Sequence, residues 1–216
     1  MACNYQSKIV TNGLVLCLDA ADKKSYPGSG TVWTDRSGNG NNGTLIGGPT
    51  YNSANGGSIV VDGIDDYISS LTLSTLSITD ITIQVWVYPT NIAGNYVTVF
   101  DTTSRHLSLW IGNNFYGLGG ASAPSYAPFN WQNNNWVCIT MVKSSTTGQI
   151  IKNNYDVFEN ISAGSAFTNQ LQFGSNPSGG GSSFTGRYGS IKLYNRALTS
   201  QEIKQNFNAT RGRFGI

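Results

Sequence analysis

The sequence predicts an all-β sandwich closed by one short C-terminal helix. Three observations carry this. Short apolar runs of alternating pattern recur along the whole length, separated by Gly, Asn, Pro and Ser. The chain holds 26 glycines and 12% aromatic residues, while only 11% of its 216 residues are charged, against roughly 25% in an average globular protein. One helical signal stands at the end, where Thr199 and Glu202 have capping-box spacing and Ile203 and Phe207, four apart, give one apolar face.

The strands follow in order. The predicted runs are 13–20, 43–46, 58–62, 67–71, 81–88, 96–101, 107–111, 136–142, 149–151, 170–174 and 189–194. The clearest is Thr82–Tyr88. There Ile83, Val85 and Val87 face one way, and Thr82, Gln84, Trp86 and Tyr88 the other. Two aromatics on the second face imply that it is covered too, or that it lines a concave surface. Asn195 and Arg196 end the last strand, and the helix is expected over Thr199–Asn208. No composition break divides the chain. Ser178–Ser183 has linker composition, but the strand after it is needed to complete a sheet, so it reads as a surface loop. The expected layout is an N-terminal arm at 1–9, a domain at 10–208 and a tail at 209–216.

A net charge of +2, with no long Lys/Arg cluster, argues against nucleic-acid binding. Cys3, Cys17 and Cys138 lack a C-x-x-C pair, and the last two sit in apolar runs, as buried thiols do. The opening MACNYQSKIV has no apolar signal-peptide core and no run reaches membrane-spanning length. Synthesis in a cytoplasm, without membrane insertion, is expected.

Four segments carry a resemblance. Leu16-Cys17-Leu18-Asp19-Ala20 is followed by Trp33-Thr34-Asp35-Arg36-Ser37-Gly38-Asn39-Gly40-Asn41-Asn42-Gly43-Thr44, then by Val61-Asp62-Gly63-Ile64-Asp65-Asp66-Tyr67-Ile68. Near the end stands Tyr194-Asn195-Arg196-Ala197-Leu198-Thr199-Ser200-Gln201-Glu202-Ile203. Together they resemble the laminin-G-like branch of the concanavalin-A-like lectin and glucanase superfamily, which implies a jelly-roll β-sandwich over residues 10–208. The last ten residues, Phe207–Ile216, resemble the tails of tailed-bacteriophage structural proteins, especially those of marine phages and cyanophages.

Each candidate site has two readings. Gly38-x-Gly40-x-x-Gly43 matches a dinucleotide fingerprint, but no buried strand precedes it and no helix follows, so it reads as a turn into a strand. Asp62, Asp65 and Asp66 are either turn carboxylates that cap backbone N–H groups or oxygen ligands for Ca²⁺, which relatives hold at a sandwich rim. By the same resemblance Asp101 could add a ligand. Asp35 is expected to organise its loop, with sugar or metal contact as the alternative. The aromatic loop Phe115–Trp136 is the candidate for recognition. Tyr116, Tyr126 and Trp131 would stack on sugar rings, with Asn133 and Asn134 as hydrogen-bonding partners, and Trp136 belongs to the core. Arg211, Arg213 and Phe214 would anchor the tail to a partner.

Catalysis is not expected. Retaining glucanases of this superfamily need two carboxylates close together, and the two glutamates, Glu159 and Glu202, stand in different contexts. His106 has no nucleophile signature beside it. The N-x-S/T sequences at Asn42, Asn160 and Asn208 are expected by chance in so Asn-rich a chain.

The resemblances imply a non-catalytic phage virion structural protein made in the bacterial host cytoplasm. It would be displayed on the particle as a capsid decoration or head fibre, with glycan-binding capacity. Other virion proteins, further copies of itself and cell-surface glycans would be its partners. The alternative is a lectin-like adhesin module of a tail fibre or a cell-surface protein. The tail is expected to be dispensable for folding.

Overall fold

A computed structural model describes residues 8–72, 80–92, 97–102, 108–112, 115–119, 125–128, 132–145, 147–153, 156–162, 170–175 and 182–216. Along the chain run β1 (Leu14–Asp19), β2 (Val32–Trp33), β3 (Gly43–Ile46), β4 (Thr50–Asn52), β5 (Ser58–Asp62) and β6 (Tyr67–Thr72). Then come β7 (Ile81–Pro89), β8 (Val97–Thr102), β9 (Ser108–Gly112), β10 (Phe115–Gly119), β11 (Ser125–Pro128) and β12 (Val137–Ser144). The chain ends with β13 (Thr147–Lys152), β14 (Asp156–Ser162), β15 (Gln170–Phe173), β16 (Ser182–Ser183), β17 (Thr185–Tyr194) and α1 (Ser200–Thr210).

The first sheet has the order β14-β13-β12-β7-β17-β5-β4. The ten-residue β17 gives one edge to two partners. Thr185–Tyr188 pairs with β5, and Ser190–Tyr194 pairs with β1. The second sheet has the order β11-β10-β9-β8-β15-β6-β3-β2, with β16 added in parallel along β8. The expected two-sheet sandwich with one C-terminal helix is present.

Alternation builds the core between the sheets. Ile83, Val85 and Val87 of β7, Ile139 and Met141 of β12, and Ile191 and Leu193 of β17 point inward from the first sheet. Ile68, Phe100, Leu109 and Phe173 meet them from the second. Each such fully buried side chain stabilises the fold by about 1.5–3 kcal/mol relative to exposure.

The other face of the first sheet is covered by the chain's own end. Thr199 Oγ1 accepts the Glu202 N–H at 3.3 Å, and Glu202 Oε2 accepts the Thr199 N–H at 2.9 Å, so the expected capping box starts α1. The helix runs two residues beyond the expected Asn208, to Thr210. Its Phe207 stacks on Trp86 with ring centroids 5.6 Å apart, and Trp86 Nε1 donates to Thr210 Oγ1 at 2.9 Å. The second face of this strand is thus covered from Thr82 to Trp86, one of the two alternatives its aromatics allowed, while Tyr88 is half-buried at the edge of the cover. Asn206 ties the chain ends together. Its Oδ1 accepts the Val10 N–H, and its Nδ2 donates to the Tyr194 hydroxyl, which itself donates to Val10 O.

The tail differs from expectation. Arg211–Phe214 forms a 3-10 turn laid back on the sheet. Phe214, only 5% exposed, stacks on Trp86 at 4.2 Å and packs against Trp136 at 4.6 Å. Gly189 makes room for it, since a Cβ there would come within 2.7 Å of the Phe214 ring. Arg213 pairs with Asp19 and donates to the carbonyls of Asn55, Gly57 and Gly189. Arg213 and Phe214, expected as free anchors, are engaged with the chain's own strands because an aromatic slot and four acceptors meet them there. Arg211 stays exposed and donates to Ile216 O.

Candidate functional site

Asp35 forms the best-connected loop in the front half. Its Oδ1 accepts the N–H groups of Cys17 and Ser37, each at 2.8 Å, and its Oδ2 accepts from Asn41 N and the Ser37 hydroxyl. Asn42 Oδ1 in turn accepts the Asp35 N–H. The Asp-x-Ser-Gly-Asn-Gly-Asn-Asn sequence is therefore a scaffold for one carboxylate that pins the loop to β1. Gly38 and Gly40 take positive φ, and Gly43 opens β3, so the glycine pattern is a turn into a strand.

The rim between β5 and β6 brings Asp62, Asp65 and Asp66 together, with carboxylate oxygens within 4.8 Å of one another. Asp62 Oδ1 accepts the Ile64 N–H at 2.8 Å, and Asp66 Oδ2 accepts the Asp62 N–H at 3.1 Å. Turn capping is thus present at two of the three. Burial pushes the Asp66 carboxyl above the ordinary range and the charges of Asp62 and Asp65 push the same way, opposed by the Asp62 N–H. A calcium ion sits about 2.4 Å from its oxygens. Oxygens within 4.8 Å of one another can share one such ion, so the donor set fits calcium while it also caps the turn.

Asp101 is not part of that group. The register Ser69↔Gln172↔Asp101 places it on the outer face of the second sheet, fully buried and two strands from β6. The neighbouring register Ile68↔Phe173↔Phe100 faces the core. Thr98 and Gln172 add two further buried polar side chains to this face.

The stretch expected as an aromatic loop contains a hairpin. Tyr116 pairs with Ala127 and Gly117 with Tyr126, so the tyrosines hold successive rungs of the β10–β11 ladder rather than one row. Trp131 lies outside the described residues, as do His106 and Cys3. Asn133 and Asn134 are exposed and organise the turn before β12. Asn133 Oδ1 accepts the Ile92 N–H, and Asn134, at φ +63°, donates its N–H to Pro89 O. Trp136 is 7% exposed and packs under Phe214, not between the sheets.

One group was not foreseen. Arg187, in a Gly-flanked run whose pattern gave no sign of a site, lies 4.8 Å over the Tyr88 ring, and Tyr88 packs 5.4 Å from Trp136. Trp136 Nε1 donates to Asn55 Oδ1 at 3.1 Å. The only signal available was the alternation that sends Arg187 to the same face as Tyr88.

The glutamates occupy separate places. Glu202 caps α1 and forms a two-pronged pair with Arg196, which holds its carboxyl down to about 2, while Glu159 stands on β14 at the sheet edge. The thiols are sealed. Burial raises Cys17 and lifts Cys138 to about 12.

Comparison with known proteins gives the geometry its relatives. A family model described as the concanavalin A-like lectin/glucanases superfamily matches residues 62–204. No curated protein sequence matches the chain. Among solved structures, the fold is similar to a Trypanosoma rangeli sialidase in complex with sialic acid, with a TM-score of 0.72 and 14% identity over 93% of this chain and 33% of that one. It is similar to the binding domain of botulinum neurotoxin DC in complex with SialylT, with a TM-score of 0.68 and 14% identity over 93% of this chain and 52% of that one. It is also similar to domain 4 of AbnA, an extracellular GH43 arabinanase from Geobacillus stearothermophilus, in complex with arabinotriose. There the TM-score is 0.69, with 16% identity over 91% of this chain and 98% of that domain. The chain thus spans a third of the sialidase and about half of the neurotoxin fragment. With the model matched over two thirds of its length and the two sheets and closing helix in place, the chain belongs to the concanavalin A-like lectin/glucanase superfamily, in its laminin-G-like branch.

Proposed function

We propose that this protein is a non-catalytic, carbohydrate-binding structural domain displayed on the surface of a phage particle. The observation that supports binding most is one of extent. The chain matches nearly the whole of an arabinanase domain seen with arabinotriose, and a third of the length of a sialidase. Its own chemistry agrees. A retaining or inverting glycosidase needs two carboxyl groups facing one glycosidic bond across roughly 5–9.5 Å. Here Glu202 is committed to a helix cap and an arginine, and Glu159 belongs to the edge strand β14. Display on a particle is supported by the likeness of Phe207–Ile216 to the closing segments of phage structural proteins. Since Arg213 and Phe214 are held by the chain's own strands, attachment to a lattice would use other surfaces, with exposed Arg211 still available.

Mass spectrometry of purified particles tests the display reading. The chain should be present in stoichiometric amount, and antibodies against it should label intact particles. Its absence from particles ends that reading and leaves a free lectin-like module. A glycan array tests binding separately. Retention of at least one glycan class is expected, and retention of none removes the binding reading.

A further inference from the structure

Resting on the carbohydrate-binding reading above, we propose that the uncovered shelf of the first sheet is a subsite for a carboxylate-bearing saccharide, with Arg187 as the anion contact. The shelf is one cross-strand row. Thr50 pairs with Val60, Val60 with Arg187, and Arg187 with Tyr88, on four neighbouring strands. Trp136, at the head of β12, stands beside Tyr88. The helix and the 3-10 turn cover Trp86, Cys138 and Tyr194 on this face, and the row runs off from the edge of that cover at Tyr88. Thr50 is exposed, while Val60, Arg187 and Tyr88 are half-buried.

Charge decides the ligand class. Among the described residues, Arg36, Arg196 and Arg213 each have a carboxylate partner within 4.0 Å, and Arg187 has none. Its guanidinium lies on the Tyr88 ring. A guanidinium laid on an aromatic ring keeps its N–H edge free, and that planar fork matches the two oxygens of a carboxylate. Being half out of water strengthens such a pair relative to a fully solvated one. The acidic residue nearest in register is Asp62, opposite Thr185, and its Oδ1 is turned back onto the Ile64 N–H. Arg213, the other cation near Asn55, is neutralised by Asp19 and does not compete for the anion.

The wall behind is fixed in advance. Trp136 is held by Asn55 through its indole N–H and by Phe214 through ring packing, so little side-chain freedom is lost on binding. A uronate ring fits this chemistry. Its carboxylate would meet Arg187, and its apolar C–H face would lie on Val60 and the Tyr88 edge.

The test uses the intact chain, tryptophan fluorescence and titration calorimetry. The probes are trigalacturonate, its neutral counterpart galactotriose, and a triglutamate peptide. Trigalacturonate should bind more tightly than either of the others, and Arg187→Gln should weaken it about tenfold or more. Raising salt from about 50 mM to about 500 mM should weaken it too. Arg187→Gln should leave the melting temperature within a few degrees, since among the described residues no carboxylate pairs with Arg187. Arg187→Lys, if folded, should restore only part of the affinity, because an ammonium lacks the fork. Binding of trigalacturonate unchanged in Arg187→Gln overturns the proposal. So does equal binding of triglutamate, which would mark a peptide surface, and so does preference for galactotriose, which keeps the glycan reading and removes this subsite. A chain that takes up no saccharide on a broad array removes both readings together.

Discussion

Glu202 and Asp66 are carboxylates moved in opposite directions, and their pH signatures separate. Arg196 and the Thr199 N–H lower Glu202 from 4.5 to about 2. A depressed folded-state value adds stability that is fully present above about pH 4.5 and is lost as pH falls toward 2. Melting temperature should therefore fall over that window, and Glu202→Gln should flatten part of the fall. Asp66 is raised by burial. Its charged form costs stability at neutral pH, and the cost disappears as pH falls through its raised value. Calcium acts on the same charge. If the rim holds an ion, EDTA should lower the melting temperature, calcium should restore it, and Asp65→Asn should abolish the response. A melt indifferent to both assigns the three carboxylates to the turn alone. The cluster was legible in sequence because its members are adjacent. Asp101 was not separable from it, because its place depends on the register of β8 against β15.

The closing strand and α1 were readable because their signals are local. Thr199 and Glu202 stand three apart, and Ile203 and Phe207 four apart, so cap and face are written within one short segment. The packing of the tail was not legible because its partners are remote. Phe214 meets Trp86, Trp136 and Gly189, and Arg213 meets Asp19, Asn55 and Gly57, none of them near in sequence. The hairpin of β10 and β11 was hidden for another reason. Gly117 and Gly119 look like loop residues, and only the pairing of β10 with β9 and β11 makes them strand. Removing Arg211–Ile216 should therefore destabilise the fold. Emptying the Phe214 slot alone costs about 3–5 kcal/mol. That is on the order of 10 °C in melting temperature for a chain of this size. Differential scanning calorimetry of the truncated chain checks this, and a melt within a few degrees of the parent would show that the slot is filled some other way.

At the scale of the molecule, the two sheets are treated unequally. The first carries α1 and the 3-10 turn over Trp86, Cys138 and Tyr194 on its outer face, and the row from Thr50 to Tyr88 lies at the edge of that cover. The second carries a buried polar row through Ser69, Gln172 and Asp101. A sheet of this kind can hold a ligand on its strands, as the proposed binding reading requires. The overall fold was visible in sequence because strand alternation and the recurring segments span most of the chain. The faces were not, because a strand's pattern shows which residues share a side and not what lies above them. Binding without catalysis is the central expectation of the proposed function, and one sample can read both. The intact chain is titrated with an oligosaccharide retained on the glycan array, while tryptophan fluorescence reports occupancy and chromatography reports the sugar's length. A saturable fluorescence change with the oligosaccharide recovered at its original length is predicted. No saturable change with any retained glycan, or the appearance of shortened products, would contradict it.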